Sequence, residues 1–231
     1  MTPAVLEALL AAQKAHRPAV LVRRLDDNEQ TLIVDGERTT GPLLPPSLDT
    51  VVQGAVRNDK STKLETPDGS WFVQVFNPPL RLVVVGAVHI AQALVPMAQL
   101  AGYAVTVVDP RRAFAAEARF PDVPLVHDWP DEALDALAPD ARTAVVTLTH
   151  DPKLDDPALT RALHSQAFYI AALGSKKTHA SRVQRLHDAG FDDTQIARIH
   201  GPAGLNLGAV SPAEIAISVM AQMTQVLRSP R

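Results

Sequence analysis

Short runs of apolar residues alternate with stretches of helical periodicity from residue 81 onward. The apolar runs cover residues 82–85, 105–108, 124–127, 144–148, 168–173 and 197–199. The helical stretches cover residues 89–102, 112–119, 130–137, 156–165, 177–189 and 212–227. Strands that are hydrophobic throughout and separated by helices are typical of a parallel sheet with both faces covered. The pattern therefore predicts an α/β fold with a Rossmann-like, doubly wound parallel sheet.

The preceding residues show a different pattern, in which pairs of strand-like runs flank polar turns. The predicted elements are a helix over 2–16, a hairpin over 19–34, a short helix over 48–57 and a second hairpin over 63–76. Asn77, Pro78 and Pro79 then interrupt both periodicities. We therefore predict a small N-terminal α+β domain, residues 1–78, followed by the parallel-sheet domain, residues 79–231.

The composition is that of an ordinary globular protein, since 46% of its 231 residues are hydrophobic and 20% are charged. A net charge of −3 and a pI near 6.2 argue against nucleic acid as a partner. No apolar run approaches the roughly 18 residues of a membrane span, and the N-terminus lacks a signal-peptide pattern. We therefore expect a cytoplasmic protein. The absence of cysteine excludes disulfides, cysteine-ligated zinc, iron–sulfur clusters and a thiol nucleophile.

The first strand of the predicted parallel sheet runs directly into a glycine turn and a helix. Such a βαβ unit places Gly86 at a helix N-terminus, where a phosphate can bind. Asp109 ends the second strand 23 residues later (109 − 86), close to the roughly 20-residue spacing of a ribose-binding acid. Alternatively, Gly86 is only a tight turn and Asp109 a cap before Pro110. Val88 stands where the fingerprint has its second glycine, which disfavours a dinucleotide in the usual pose.

Polar, basic and glycine residues gather after the predicted strands, where open α/β sheets bind ligands. Residues 174–178 offer backbone N–H groups, a hydroxyl and two ammonium groups, a combination that suits an oxyanion. Lys176 and Lys177 are equally consistent with a solvated pair, and His150 with a general acid–base group or a hydrogen-bonding loop residue. We assign no catalytic residue and no metal ligand. The candidate cofactor-binding residues are Gly86, Ala87, Val88, His89, Asp109, Arg111, Thr149, His150, Asp151, Gly174, Ser175, Lys176, Lys177 and Gly201.

Several short segments, taken in order, carry a resemblance to a known family. They are Gly86-Ala87-Val88-His89, Val107-Val108-Asp109-Pro110-Arg111, Arg119-Phe120-Pro121, Thr149-His150-Asp151, Gly174-Ser175-Lys176-Lys177-Thr178, Gly201-Pro202-Ala203-Gly204-Leu205-Asn206-Leu207-Gly208-Ala209 and Ser211-Pro212-Ala213-Glu214-Ile215-Ala216-Ile217-Ser218-Val219. In this order and spacing they resemble the XdhC/CoxF (XdhC/CoxI) family of maturation factors for xanthine dehydrogenase and related molybdenum hydroxylases. The resemblance spans about residues 82–222.

The resemblance implies an N-terminal XdhC/CoxI-type domain, a Rossmann domain, and an accessory role rather than an enzymatic one. It implies that the chain holds molybdenum cofactor (molybdopterin), a pterin with a phosphate and a dithiolene, and assists its insertion. The implied partners are an apo molybdenum hydroxylase and a sulfurtransferase. The chain departs from the family at Val88, where a glycine is usual, and at residues 39–49, which lack a cysteine that members commonly carry. Sulfur transfer then rests with another protein, or the chain has a different role.

Two other hypotheses remain open at this stage. An NAD(P)-binding Rossmann oxidoreductase is suggested by the βαβ unit and Asp109, although Val88 counts against it. A structural partner for a cysteine-bearing paralogue is suggested by the absence of a thiol. We also expect a homodimer, because the small first domain and the apolar last helix leave surface to cover.

Overall fold

The computed structural model describes residues 1–229, which form two compact units divided between Pro78 and Pro79. The first unit is built on an antiparallel sheet and the second on a parallel sheet. The predicted α/β fold class is therefore confirmed. No helix within residues 1–229 is long and apolar enough to cross a membrane.

The first unit contains five strands, two α-helices and one short 3-10 helix. These are α1 (Pro3–Lys14), β1 (Ala19–Arg24), β2 (Gln30–Val34), β3 (Glu37–Thr40), the 3-10 helix (Pro46–Leu48), α2 (Asp49–Asn58), β4 (Thr62–Thr66) and β5 (Gly69–Phe76). The sheet order is β3-β2-β1-β5-β4, with antiparallel neighbours throughout.

The central strand β1 is apolar on both faces, so each face of this sheet is covered by one helix. Ala19 and Leu21 pack with the apolar side of α1, whereas Val20 and Val22 pack with α2. This follows from the period of two along a strand, which sends successive side chains to opposite faces. The helix α1 begins where Thr2 accepts a hydrogen bond from the Val5 N–H, as the predicted cap requires.

The second unit alternates strands and helices. Its elements are β6 (Leu80–Val85), α3 (His89–Leu100), β7 (Tyr103–Val108), β8 (Leu125–Val126), α4 (Pro130–Leu137), β9 (Thr143–Thr147), α5 (Pro152–His164), β10 (Tyr169–Ala172), α6 (Lys176–Asp188), α7 (Asp193–Ile196), β11 (Ile199–His200) and α8 (Pro212–Arg228). The six strands are parallel, in the order β11-β10-β9-β6-β7-β8.

Both faces of the parallel sheet are buried, because the central strand β6 feeds two separate cores. Leu82 and Val84 pack with α3 and α8, whereas Val83 and Val85 pack with α4, α5 and α6. The last helix starts at a capping box formed by Ser211 and Glu214. The predicted helix over 212–227 is therefore confirmed.

The sequence prediction is wrong over residues 112–119, which form turns instead of a helix. The Arg119 guanidinium donates to the carbonyl oxygens of Ala87 at 2.8 Å and Phe114 at 2.6 Å. These contacts hold the segment against the glycine turn after β6 and replace the regular hydrogen bonds of a helix. The edge strand β3 was not predicted, because its residues are polar and mostly exposed.

Candidate functional site

The strand order places a crevice at the centre of the parallel sheet. From the adjacent strands β6 and β9, the chain winds outward in opposite directions, towards β8 on one side and β11 on the other. Open α/β sheets bind ligands beyond the carboxyl ends of their strands at such a switch point. Every candidate residue predicted from the sequence follows β6, β7, β9, β10 or β11 and lies at this edge.

The glycine turn after β6 is closely packed. Gly86 has φ +108°, and a Cβ atom there would lie 2.5 Å from Cγ2 of Thr149. The Gly86 N–H donates to the Val108 carbonyl at 2.8 Å, and the Ala87 N–H donates to the Asp109 carboxylate at 2.9 Å. These two amides are therefore engaged within the protein. Val88 then forms the N-cap of α3 in an extended conformation without a side-chain capping bond.

Asp109 is fully buried and holds this turn in place. One carboxylate oxygen accepts the Arg111 N–H and Nε, both at 2.9 Å. The other accepts the Ala87 N–H at 2.9 Å and Arg111 Nη2 at 2.7 Å. Burial alone would raise the pKa of Asp109, but the hydrogen bonds from Arg111 and Ala87 outweigh it and leave the pKa below its usual range. Asp109 positions the turn, and its oxygens are occupied without any ribose.

Two arginines and an exposed ring form the rim beside this turn. Arg111 lies over the Phe114 ring at 4.5 Å, and Arg119 approaches the same ring at 5.9 Å. Arg119 also donates to the side-chain oxygen of Gln92 at 3.0 Å. The rim connects residues 111–120 to the first turn of α3.

On the other side of the crevice, Thr149 joins the glycine turn to a buried ion pair. Its methyl group faces Gly86, and its hydroxyl donates to Oδ1 of Asp155 at 2.6 Å. The second oxygen of Asp155 lies 3.6 Å from Nη2 of Arg182. Both Asp155 and Arg182 are 1% exposed. Burial raises the pKa of Asp155 and lowers the pKa of Arg182, despite their mutual attraction.

The Arg182 guanidinium is incompletely hydrogen-bonded among residues 1–229. Nη2 donates to the Leu173 carbonyl at 2.9 Å. Nε and Nη1 are buried and have no hydrogen-bond partner, and neither does Oδ2 of Asp155. Most buried polar groups in proteins are hydrogen-bonded, so these three atoms require an explanation.

The start of α6 has a tight geometry of its own. Gly174 has φ +141°, and a Cβ there would lie 3.0 Å from the Thr178 side chain. The Ser175 hydroxyl accepts the Thr178 N–H at 3.1 Å and thereby caps the helix. Lys176 and Lys177 follow, both exposed, in a first turn that has no acidic residue.

A cavity of about 250 Å³ lies between the first turn of α5 and the first three turns of α6. We call it the basic cavity, and its lining residues are His150, Pro152, Asp155, Lys177, Thr178, Ser181, Arg182 and Arg185. Arg185 is already paired with Asp156. Among the candidates predicted from the sequence, the structure thus brings His150 and Lys177 together, whereas Lys176 does not line the cavity.

The remaining candidates have local structural contacts. Asp151 is the N-cap of α5 and accepts the Lys153 N–H at 3.0 Å. Gly201 lies against the ring of His179, which leaves no space for a Cβ. Burial lowers the pKa of His179, and the nearby Arg182 lowers it further. His89 is exposed at the start of α3.

Sequence reasoning did not identify Arg119, Asp155 or Arg182. Each lies outside the strand-end positions from which candidates were selected, and Arg182 lies in the second turn of a charged helix. Only the burial of Arg182 distinguishes it from solvated arginines nearby. Within residues 1–229, no group of three or more His, Asp or Glu side chains is arranged to hold a metal ion.

A six-stranded parallel sheet in this order, with helices on both faces and polar groups at its carboxyl edge, defines a Rossmann-type ligand-binding domain. Residues 82–223 match the family model described as the XdhC Rossmann domain, which is more than half of the chain. The chain therefore belongs to the XdhC family, and the resemblance found from its motifs is confirmed.

Three curated relatives come from bacteria. YqeB of Escherichia coli K12 is 33% identical over 162 residues, covering 68% of this chain and 29% of that protein. The molybdenum cofactor insertion chaperone PaoD of the same strain is 31% identical over 151 residues, 65% of this chain and 41% of PaoD. A Bacillus subtilis 168 protein named as a probable xanthine dehydrogenase subunit is 32% identical over 158 residues, 67% of this chain and 45% of that protein.

A solved structure resembles nearly the whole chain. It is described as a xanthine dehydrogenase from Bacillus halodurans and superposes with a TM-score of 0.71 at 26% identity, covering 98% of this chain and 64% of that one. The present chain spans less than half the length of each of the three curated relatives.

Proposed function

We propose that this protein is a maturation factor that binds molybdenum cofactor and assists its insertion into a xanthine dehydrogenase-type molybdenum hydroxylase. Its XdhC-type Rossmann domain and its relative PaoD, named a molybdenum cofactor insertion chaperone, support this role. The observation that carries the proposal is the basic cavity beside the switch point. Unpartnered N–H groups there fit a phosphorylated ligand such as the pterin.

The residues we propose to hold the ligand lie on both sides of the crevice. Val88 and His89 face it from the start of α3, and Thr149, His150 and Lys177 from the ends of β9 and β10. Asp109, Arg111, Gly86 and Ala87 shape the wall between them. The bound cofactor supplies its own redox chemistry in the hydroxylase, and the role of these residues is to hold and orient it.

The partners follow from the same proposal. An apo molybdenum hydroxylase receives the cofactor, and a sulfurtransferase supplies the sulfur, because this chain has no cysteine to relay it. We further propose a homodimer that acts in the cytoplasm.

The test compares protein purified from a molybdenum-replete host with protein from a host unable to make the pterin. We expect mass analysis to find pterin in the first preparation only, and we expect that preparation to speed activation of the apo-hydroxylase. Protein that neither retains pterin nor changes the activation would refute the proposed function.

An NAD(P)-dependent oxidoreductase is the second candidate, favoured by the strand order alone. The engaged amides of Gly86 and Ala87 argue against it, since neither is available to donate to a pyrophosphate. Nicotinamide nucleotide binding detected by calorimetry would support it. A chain that binds no ligand and co-purifies with a cysteine-bearing paralogue would instead support a structural partner.

A further inference from the structure

We propose that the basic cavity is a phosphate site that holds the phosphate ester of the pterin, with Arg182 as its buried anchor. The inference rests on the proposed function for the identity of the ester, but the anion site itself does not. It assigns the phosphate to the second half of the sheet, beside β9 and β10, and away from the glycine turn that follows β6.

The first observation is the unsatisfied guanidinium. Arg182 is 1% exposed, yet Nε and Nη1 have no partner among residues 1–229, and both belong to a residue that lines the cavity. An arginine presents its N–H groups in a planar fork that matches the oxygens of a phosphate. A buried charge with few hydrogen bonds is strongly unfavourable, so an anion in the cavity that accepted from either Nε or Nη1 would stabilise the guanidinium.

The carboxylate of Asp155 does not already satisfy the free N–H groups of Arg182. Its Oδ1 is engaged by the Thr149 hydroxyl, and its Oδ2 lies 3.6 Å from Arg182, beyond hydrogen-bond distance. Burial also raises the pKa of Asp155.

The N-terminal ends of two helices are a second, independent feature that favours an anion in the cavity. The lining of the cavity includes the first turn of α5 and, with Lys177 and Thr178, the first turn of α6, where the helix dipoles place partial positive charge. The first turn of α6 carries Lys176 and Lys177 and no acidic residue. Cations are unfavourable at a helix N-terminus by themselves, and a bound anion would offset that repulsion because it attracts both the cations and the helix end.

The size of the cavity indicates which part of a ligand it takes. At about 250 Å³ it is smaller than the roughly 300–1,000 Å³ of sites that enclose a whole small molecule. It can receive one phosphate group, while the ring system lies outside, towards Thr149 and the crevice. Thr149 connects the two regions, since it contacts Gly86 with its methyl group and Asp155 with its hydroxyl.

The test is calorimetric titration of the full chain, freed of ligand, with inorganic phosphate at constant ionic strength. Lys177→Gln and Lys176→Gln form a matched pair, because both residues are exposed neighbours and only Lys177 lines the cavity. We expect K177Q to weaken phosphate binding roughly two- to fivefold and K176Q to leave it within about 1.5-fold.

A second pair tests the anchor. We expect Arg182→Met to weaken phosphate binding at least about tenfold, as the loss of charge-assisted hydrogen bonds predicts. Arg161→Gln, which removes a surface arginine paired with Asp135, should leave it unchanged. If R182M does not fold, the comparison of K177Q with K176Q decides.

The outcomes separate this inference from the proposed function. Phosphate binding that depends on Arg182 and Lys177, in a protein that retains no pterin, would support the anion site and remove the proposed function. Pterin retention with no phosphate binding, or with phosphate binding equal in K177Q and K176Q, would overturn this inference and leave the proposed function standing. Competition between inorganic phosphate and the pterin, lost in K177Q, would support both.

Discussion

Substitution of Gly86 by alanine tests whether the glycine turn is packed against Thr149 or kept open for a ligand. An alanine at φ +108° would be strained by roughly 1–3 kcal/mol. Its Cβ would also lie 2.5 Å from Thr149 Cγ2 and 3.3 Å from the Thr149 backbone nitrogen, an overlap that adds about 1–3 kcal/mol. We therefore expect G86A to lower the free energy of unfolding by roughly 2–6 kcal/mol.

Two further variants isolate the overlap from the backbone strain. Gly190 has φ +93°, and a Cβ at that position would meet no atom within 4 Å, so G190A should show the backbone contribution alone. Thr149→Ser removes Cγ2 and keeps the hydroxyl that binds Asp155. The double variant G86A/T149S should recover about 1–3 kcal/mol relative to the sum of the single changes.

The measurement is urea unfolding of all four variants, followed by circular dichroism. A coupling between residues 86 and 149 below about 0.5 kcal/mol would mean that the two sites behave independently. That result would refute the close packing of the glycine turn against Thr149.

Three more predictions concern the same region. Asp109→Asn should lower the free energy of unfolding by about 1.5–3 kcal/mol, because it weakens the charge-assisted hydrogen bonds that Arg111 donates to this buried carboxylate, whereas D135N at an exposed pair should cost under about 1 kcal/mol in the same urea experiment. The pKa of Asp109 is lowered on folding, so its contribution to the free energy of unfolding is fully present above the unfolded pKa of roughly 3.9 and is lost as the pH falls through the folded pKa. Below about pH 4 the free energy of unfolding should therefore fall more steeply with decreasing pH in wild type than in D109N. Equal slopes in the two proteins would contradict this. Val88→Gly should not create nicotinamide dinucleotide binding in calorimetry, because the Gly86 and Ala87 amides remain engaged; clear binding would show that Val88 alone excludes the nucleotide.

The sequence predicted those parts of the fold that depend on local patterns. The apolar run before Gly86 predicted a buried strand that leads into a helix, and the box formed by Ser211 and Glu214 marked the start of α8. The helix expected over 112–119 failed because Arg119 makes contacts to Ala87, which lies 32 residues earlier. Such long-range hydrogen bonds leave no periodic trace in a sequence.

The candidate site was predicted only in outline. The ends of the strands could be located from the sequence, so His150 and Lys177 were selected as candidates. Asp109 was among the candidates, and the structure shows that it supports the glycine turn; the sequence could not distinguish this role from ribose binding, because both require the same residue at the same spacing. Arg182 could not be selected, because its burial arises from packing between α5, α6 and the sheet.

The hydrogen-bonded amides of the turn after β6 affect how well nucleotides in a cell could compete for this site. Nucleotides are far more abundant than a cofactor made in small amounts, and by mass action an open dinucleotide turn would be filled with them. Because the Gly86 and Ala87 amides donate to Val108 and Asp109 within the protein, two donors that such a turn would offer to a nucleotide are not available. Under the proposed function, selectivity for a scarce ligand is then gained in part by removing an attraction to its abundant competitors, without an additional contact to the preferred ligand.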